Sequence, residues 1–220
     1  MTPGLLQQLV ELKKKRQAVA LVSHLGSGMQ YLVSPDDVAE NAEFQEAFRR
    51  DRSGIIGEQF VAIHNPPLRL VIIGAVFIAQ GLIPFAQACG YEVTVIDPRG
   101  AFASKVRFPN VMLHVDWPQD VLPSLKMDSR TAFVALTHDS KIDDPALQIA
   151  LKSPVFYIGA LGSHKTQAAR QERLGATGFD ELAMARINGP IGLAIGGVGA
   201  AEIGISIMAE MTKALRLGLA

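Results

Sequence analysis

From Leu68 onward, short apolar runs alternate with stretches of helical character, and this alternation restricts the fold more than any other feature of the chain. Leu68–Ile73 is apolar apart from Arg69, as expected of a strand buried on both faces. Residues 77–89 read as a helix, 92–96 as a second buried strand and 111–114 as a weaker third. Residues 131–136 and 155–158 read as two more strands, each followed by a helix, at 143–151 and 163–174. Residues 200–217 form a long closing helix. Strands joined through helices at this spacing imply right-handed crossovers, so the expected fold is α/β, a Rossmann-like doubly wound parallel sheet.

The residues before that pattern behave differently. Leu5, Leu6, Leu9, Val10 and Leu12 share one face of a helix over 5–17, and short strands are expected at 18–22 and 29–33. Ser34-Pro35-Asp36-Asp37 carries a capping residue, a first-turn proline and acids for the positive end of a dipole, which predicts a helix from Ser34 to about Arg50. Residues 55–64 read as one strand. Asn65-Pro66-Pro67 removes two donors and biases Asn65 away from helix. A small N-terminal α+β segment, 1–66, is therefore expected ahead of a Rossmann-like domain, 67–220.

Composition narrows the partners. Lys and Arg total 21, Asp and Glu total 21, and the net charge is zero. Without a basic excess, nucleic acid is a poor partner. The N-terminus does not follow the order of a secretory signal, and no segment reaches the roughly 20 unbroken apolar residues that span a bilayer. Neither a membrane location nor export is expected. Cys89 is the single cysteine, which rules out an internal disulfide and suits a reducing, cytoplasmic setting. Within an apolar helix, its thiol is expected to be buried and inert.

In a parallel sheet, ligands bind beyond the carboxyl ends of the strands. After the first strand comes Gly74-Ala75-Val76-Phe77-Ile78-Ala79, a partial dinucleotide fingerprint. Gly74 suits the tight turn and Ala79 the close helix packing, but Val76 stands where a glycine would admit pyrophosphate. After the second strand, Asp97 lies 23 positions beyond Gly74 (97 − 74), where a ribose-binding carboxylate would sit. Arg99 suits a phosphate instead, and Lys105 and Arg107 follow either on the crevice or on a solvated face. After the fourth strand, Thr137-His138-Asp139 offers a proton-transfer pair or a metal ligand with an acidic neighbour, and Asp143 and Asp144 read as helix caps. After the fifth, Gly162-Ser163 opens a helix carrying Lys165, Arg170 and Arg173, a geometry that receives anions. The glycines between Gly189 and Gly199 precede the closing helix, whose N-terminus is either a further anion site or simply packed.

Taken in order, LVIIGAVFIAQGL, VTVIDPRGAFASKVRFP, VALTHDSKIDDPAL, YIGALGSHKTQAAR and GPIGLAIG resemble the XdhC family of xanthine dehydrogenase accessory proteins, over about residues 54–212. The resemblance implies a chaperone that binds molybdenum cofactor (molybdopterin), holds it during sulfuration and delivers it to a xanthine dehydrogenase-like molybdoenzyme. A cysteine desulfurase is then a partner too. Gly74, Ala75, Val76, Phe77, Asp97, Arg99, Thr137, His138, Gly162, Ser163, Lys165 and Arg170 become the cofactor-binding candidates, and His138 with Asp139 the catalytic ones. The chain departs from the family pattern at Phe77, where histidine is usual, at Asn188-Gly189, and at His164. The N-terminal region and its glycine–cysteine motif are reduced or missing. Two other readings remain: an NAD(P)-dependent oxidoreductase with Asp97 on the ribose and His138 as acid/base, and a non-catalytic nucleotide sensor. The N-terminal segment and closing helix offer a face for a homodimer.

Overall fold

A computed structural model describes residues 1–218; the last two positions of the expected 67–220 domain lie outside them. The described chain divides into two compact units, Met1–Pro66 and the residues from Pro67 on.

The first unit is a four-stranded antiparallel sheet with two helices. Helix α1 (Pro3–Lys14) starts at Thr2, whose hydroxyl accepts from Leu5 N–H, with Pro3 in the position where no donor is needed. Strands β1 (Val19–His24), β2 (Gln30–Val33), β3 (Gly54–Ile56) and β4 (Gln59–His64) pair in the order β2-β1-β4-β3. Helix α2 (Ala42–Arg50) adds Phe44 and Phe48 to a core made with Ala20, Val22 and Val61. Two expectations change here. The helix begins at Asn41, whose side chain accepts from Glu43 and Phe44 N–H, because Asp37 closes Ser34 into a turn by accepting from its N–H and hydroxyl, each at 2.7 Å. The expected strand over 55–64 is a hairpin, reversed at Gly57 with φ +56°.

The second unit is a six-stranded parallel sheet, made of β5 (Leu68–Ile73), β6 (Tyr91–Ile96), β7 (Met112–His114), β8 (Thr131–Ala135), β9 (Tyr157–Ala160) and β10 (Ile187–Asn188). The order β10-β9-β8-β5-β6-β7 runs outward in both directions from β5 and β8, the doubly wound arrangement. Alternation within β5 feeds both faces. Leu68, Leu70 and Ile72 join the core built by α3 (Phe77–Ala88) and α8 (Ala200–Leu217). Val71 and Ile73 join the core built by α4 (Pro118–Leu125), α5 (Ser140–Leu151) and α6 (His164–Ala176), with Met184 of the short α7 (Glu181–Met184) alongside.

Helices α3 and α8 cross where both carry glycine. A Cβ at Gly81 would lie 2.8 Å from the Ala200 carbonyl, and one at Gly204 would lie 2.9 Å from the Gly81 carbonyl carbon. Backbone therefore meets backbone, which fixes where α8, and the loop leading into it, can sit. Helix α4 was not expected: prolines at 118 and 123 obscure its pattern, although one sits harmlessly in the first turn. Cys89 caps the end of α3 and is exposed, not buried as its apolar neighbours suggested. No described helix is long and apolar enough to cross a membrane.

Candidate functional site

All six strands of the second unit point the same way, so every segment that follows a strand emerges on one edge. The winding reverses between β5 and β8, the place where folds of this kind bind their ligands. Gly74 and Thr137 meet at this point. Gly74 has φ +111°, and a Cβ on it would come within 2.8 Å of Thr137 Cγ2 and 3.3 Å of its backbone nitrogen. Glycine is required here for both conformation and space.

The turn after Gly74 is tied to the next strand. Ala75 is fully buried and donates its N–H to Asp97 Oδ2 at 2.7 Å. Val76 has φ −94°, ordinary for any residue, and its side chain packs against the core rather than standing in the crevice. It starts α3 without a side-chain cap, so the first N–H groups of that helix keep no internal acceptor. Phe77 follows, 75% exposed.

Asp97 is wholly buried and accepts four donors: Ala75 N–H, Arg99 N–H at 2.9 Å, Arg99 Nε at 2.9 Å and Arg99 Nη2 at 2.8 Å. Burial pushes its pKa up, but the Arg99 guanidinium and the two backbone N–H groups outweigh that and hold it below the usual carboxylate range. A carboxylate offers about four acceptor positions, so none is left for ribose hydroxyls. Arg99 is raised by Asp97 and, more weakly, by the charges of Asp139 and Asp143, which links the tips of β6 and β8.

At the end of β8, His138 is exposed and adopts the left-handed region, φ +63°. Asp143 holds this turn from one helical turn away. Its Oδ1 accepts from the Thr137 hydroxyl at 2.7 Å and its Oδ2 from His138 N–H at 3.1 Å. Burial pushes Asp143 up to about 6, against the opposing pull of those hydrogen bonds and of Arg170. The helix cap is Asp139, which accepts from Lys141 N–H at 2.9 Å. The expected capping roles of Asp143 and Asp144 are thus corrected. Asp143 braces the loop, while Asp144 is gripped by Arg173 through Nε at 2.5 Å and Nη2 at 3.1 Å. Asp139 is committed to its cap. Among the described residues, no group of three or more His, Cys, Asp or Glu side chains is arranged to hold a metal ion.

Beyond β9, Gly162 has φ +147° and lies so close to Thr166 that a Cβ would fall 2.9 Å from its side chain. Ser163 caps α6 by accepting from Thr166 N–H at 3.2 Å, leaving the N–H groups of His164 and Lys165 facing outward from the first turn. Lys165 is exposed. Arg170 is turned inward and 2% exposed. It donates to Gln167 Oε1 at 2.5 Å and to the Leu161 carbonyl at 2.8 Å, while its buried Nε has no partner among the described residues. The N-terminus of α8 is different: Glu202 accepts from Val198 and Gly199 N–H at 2.8 and 3.0 Å and so fills the place an anion would take. The loop before it is held from below, because Glu210 Oε2 accepts from Gly192 N–H at 2.8 Å and from the Tyr157 hydroxyl at 2.5 Å.

Sequence reasoning left Arg107 undecided. It donates to the carbonyls of Ala75 and Phe102 at 3.0 and 2.7 Å and to Gln80 Oε1 at 2.8 Å, so it ties the glycine turn to the loop after β6. Only an arginine near a chain reversal hinted at this, and nothing in the sequence named its acceptors.

Known proteins resemble the chain mainly through its second unit, from Pro67 on. The family model described as the XdhC Rossmann domain matches residues 70–211. The molybdenum cofactor insertion chaperone PaoD of Escherichia coli K12 is 30% identical over 149 residues, 68% of this chain and 41% of that protein. A probable xanthine dehydrogenase subunit of Bacillus subtilis 168 is 29% identical over 155 residues, 70% of this chain and 45% of that one. The chain thus spans less than half the length of these curated relatives. A crystal structure of a xanthine dehydrogenase from Bacillus halodurans superposes with a TM-score of 0.69 at 24% identity, covering 96% of this chain and 64% of that one, a likeness of fold.

Proposed function

Since the chain belongs to the XdhC family, we propose that it is a cofactor-maturation chaperone: it receives molybdenum cofactor at the β5–β8 crevice, keeps it during sulfuration and delivers it to a xanthine dehydrogenase-like apoenzyme. The observation that carries this reading is the gathering of phosphate-receptive groups on one edge. The uncapped start of α3, the start of α6 and the Arg99 guanidinium all follow strands of the same parallel sheet. A pterin bearing a phosphate matches that set, because helix N-termini and guanidinium groups are the usual receivers of phosphate oxygen.

The cofactor is the cargo here, and its chemistry is its own. Gly74 lets the chain turn close to it, Ser163 and Lys165 meet its anionic end, and Thr137 with Asp143 fixes the turn that carries His138. Arg170 sits behind, positioning the Leu161 carbonyl and thus the Gly162 turn. Ribose binding by NAD(P) finds no open carboxylate at Asp97, so the oxidoreductase reading gains nothing from the geometry. A cysteine desulfurase and the apoenzyme are the expected partners, and a homodimer the expected assembly.

The test is mass spectrometry of small molecules released from protein purified without oxygen. A molybdopterin species in near-stoichiometric amount is expected. Protein that carries none, and acquires none when offered molybdopterin anaerobically, contradicts the proposal.

A further inference from the structure

Phe77 stands out among the aromatic residues. Phe44, Phe48, Phe108 and Phe133 are buried, yet Phe77, at the first position of α3 and directly after the glycine turn, is 75% exposed. The ring is not left to wander. The Arg107 guanidinium stacks over it, 5.2 Å from the centroid, and is itself fixed by its three acceptors, Ala75 O, Phe102 O and Gln80 Oε1. Gln80 answers by donating to the Arg107 carbonyl at 3.1 Å. Nearby, Phe102 is 44% exposed under the Arg99 guanidinium at 4.7 Å, and Arg99 is in turn clamped by Asp97. The rim after β5 and β6 therefore presents two phenylalanine rings, each backed by an immobilised cation, with exposed Lys105 between Arg99 and Arg107 in the chain.

We infer that Phe77 is a stacking platform for the planar heterocycle of an anionic ligand, with Arg107 as the residue that positions it. This rests on the function proposed above and specifies its ring subsite. Charge decides the occupant. The exposed rings stand among Arg99, Lys105 and Arg107, which favours a flat, negatively charged ring system with its phosphate toward α3 over the broad neutral apolar face that a protein partner would bring. A guanidinium already occupies part of the ring's surroundings, and the remaining surface suits a second flat group.

Anaerobic titration of the full chain with molybdopterin tests this, followed by pterin absorbance and fluorescence, with inorganic phosphate titrated separately. Stacking on an aromatic side chain contributes about 1–3 kcal/mol, so Phe77→Leu is expected to weaken molybdopterin by about 5- to 150-fold and to abolish the change in the pterin spectrum. Phe77→Tyr keeps a ring face and is expected to preserve both, and phosphate affinity stays the same in all three proteins. If the unmodified protein binds no molybdopterin, the chaperone reading falls and takes this inference with it. If it binds and Phe77→Leu binds equally well with an unchanged spectrum, the stacking platform alone is overturned. Unchanged binding with lost delivery to an apoenzyme would likewise overturn it, by making Phe77 a protein contact.

Discussion

Asp97 and Asp143 are both buried carboxylates at strand ends, and they respond to pH in opposite senses. Asp97 is held below its ordinary pKa, so its contribution is complete above about pH 4 and is lost as the pH falls further. Asp143 is raised from 3.8 to about 6, so the folded state binds the extra proton and loses stability as the pH rises between those values, by roughly 3 kcal/mol. Asp143→Asn removes that titration. Urea midpoints at pH 4.5 and pH 7 should differ less in the variant than in the parent protein, and equal differences would contradict the assignment. Arg99→Ala strands Asp97 without its fork. A loss of about 3 kcal/mol is expected in denaturant unfolding, toward the low end for a broken buried pair because Arg99 is about one-third exposed. Neither role could be read from the sequence. Spacing marked Asp97 for a ribose and Asp143 for a cap, because composition identifies acceptors but not which donors the fold brings to them.

Among the elements, the α3–α8 crossing sets the position of the loop before α8. Alanine usually favours a helix over glycine by about 1 kcal/mol, but at Gly81 and Gly204 the new methyl would press on backbone, which cannot rotate away. Gly204→Ala is expected to lower stability by about 1–3 kcal/mol. Gly175→Ala, near the end of α6 with only the tip of Met184 at 3.9 Å, should be neutral or raise it by less than about 1 kcal/mol. Thermal unfolding of the two variants checks this, and a stabilised Gly204→Ala would refute the close crossing. The strands of the parallel sheet were legible because burial on both faces leaves an apolar run that few other structures produce. Helix α4 and the β3–β4 hairpin were not: two prolines hide the first, and an alternating stretch across Gly57 reads as one strand unless the turn is known.

At the scale of the whole chain, the residues from Pro67 on hold two cores of their own, one on each face of the sheet. Protein beginning at Pro67 should therefore unfold cooperatively in urea, and a broad, non-cooperative transition would show that the residues before it are needed for folding. The parallel sheet was foreseeable from the alternation of elements, and strands that all run one way bring Gly74, Arg99, Thr137, His138 and Ser163 to a single edge. Whether this edge acts as one receptor is best asked by amide hydrogen exchange with and without molybdopterin. Exchange should slow together at 74–79, 97–99, 137–139 and 162–166. Slowing confined to one of these segments, or found only within residues 1–66, would contradict a shared crevice.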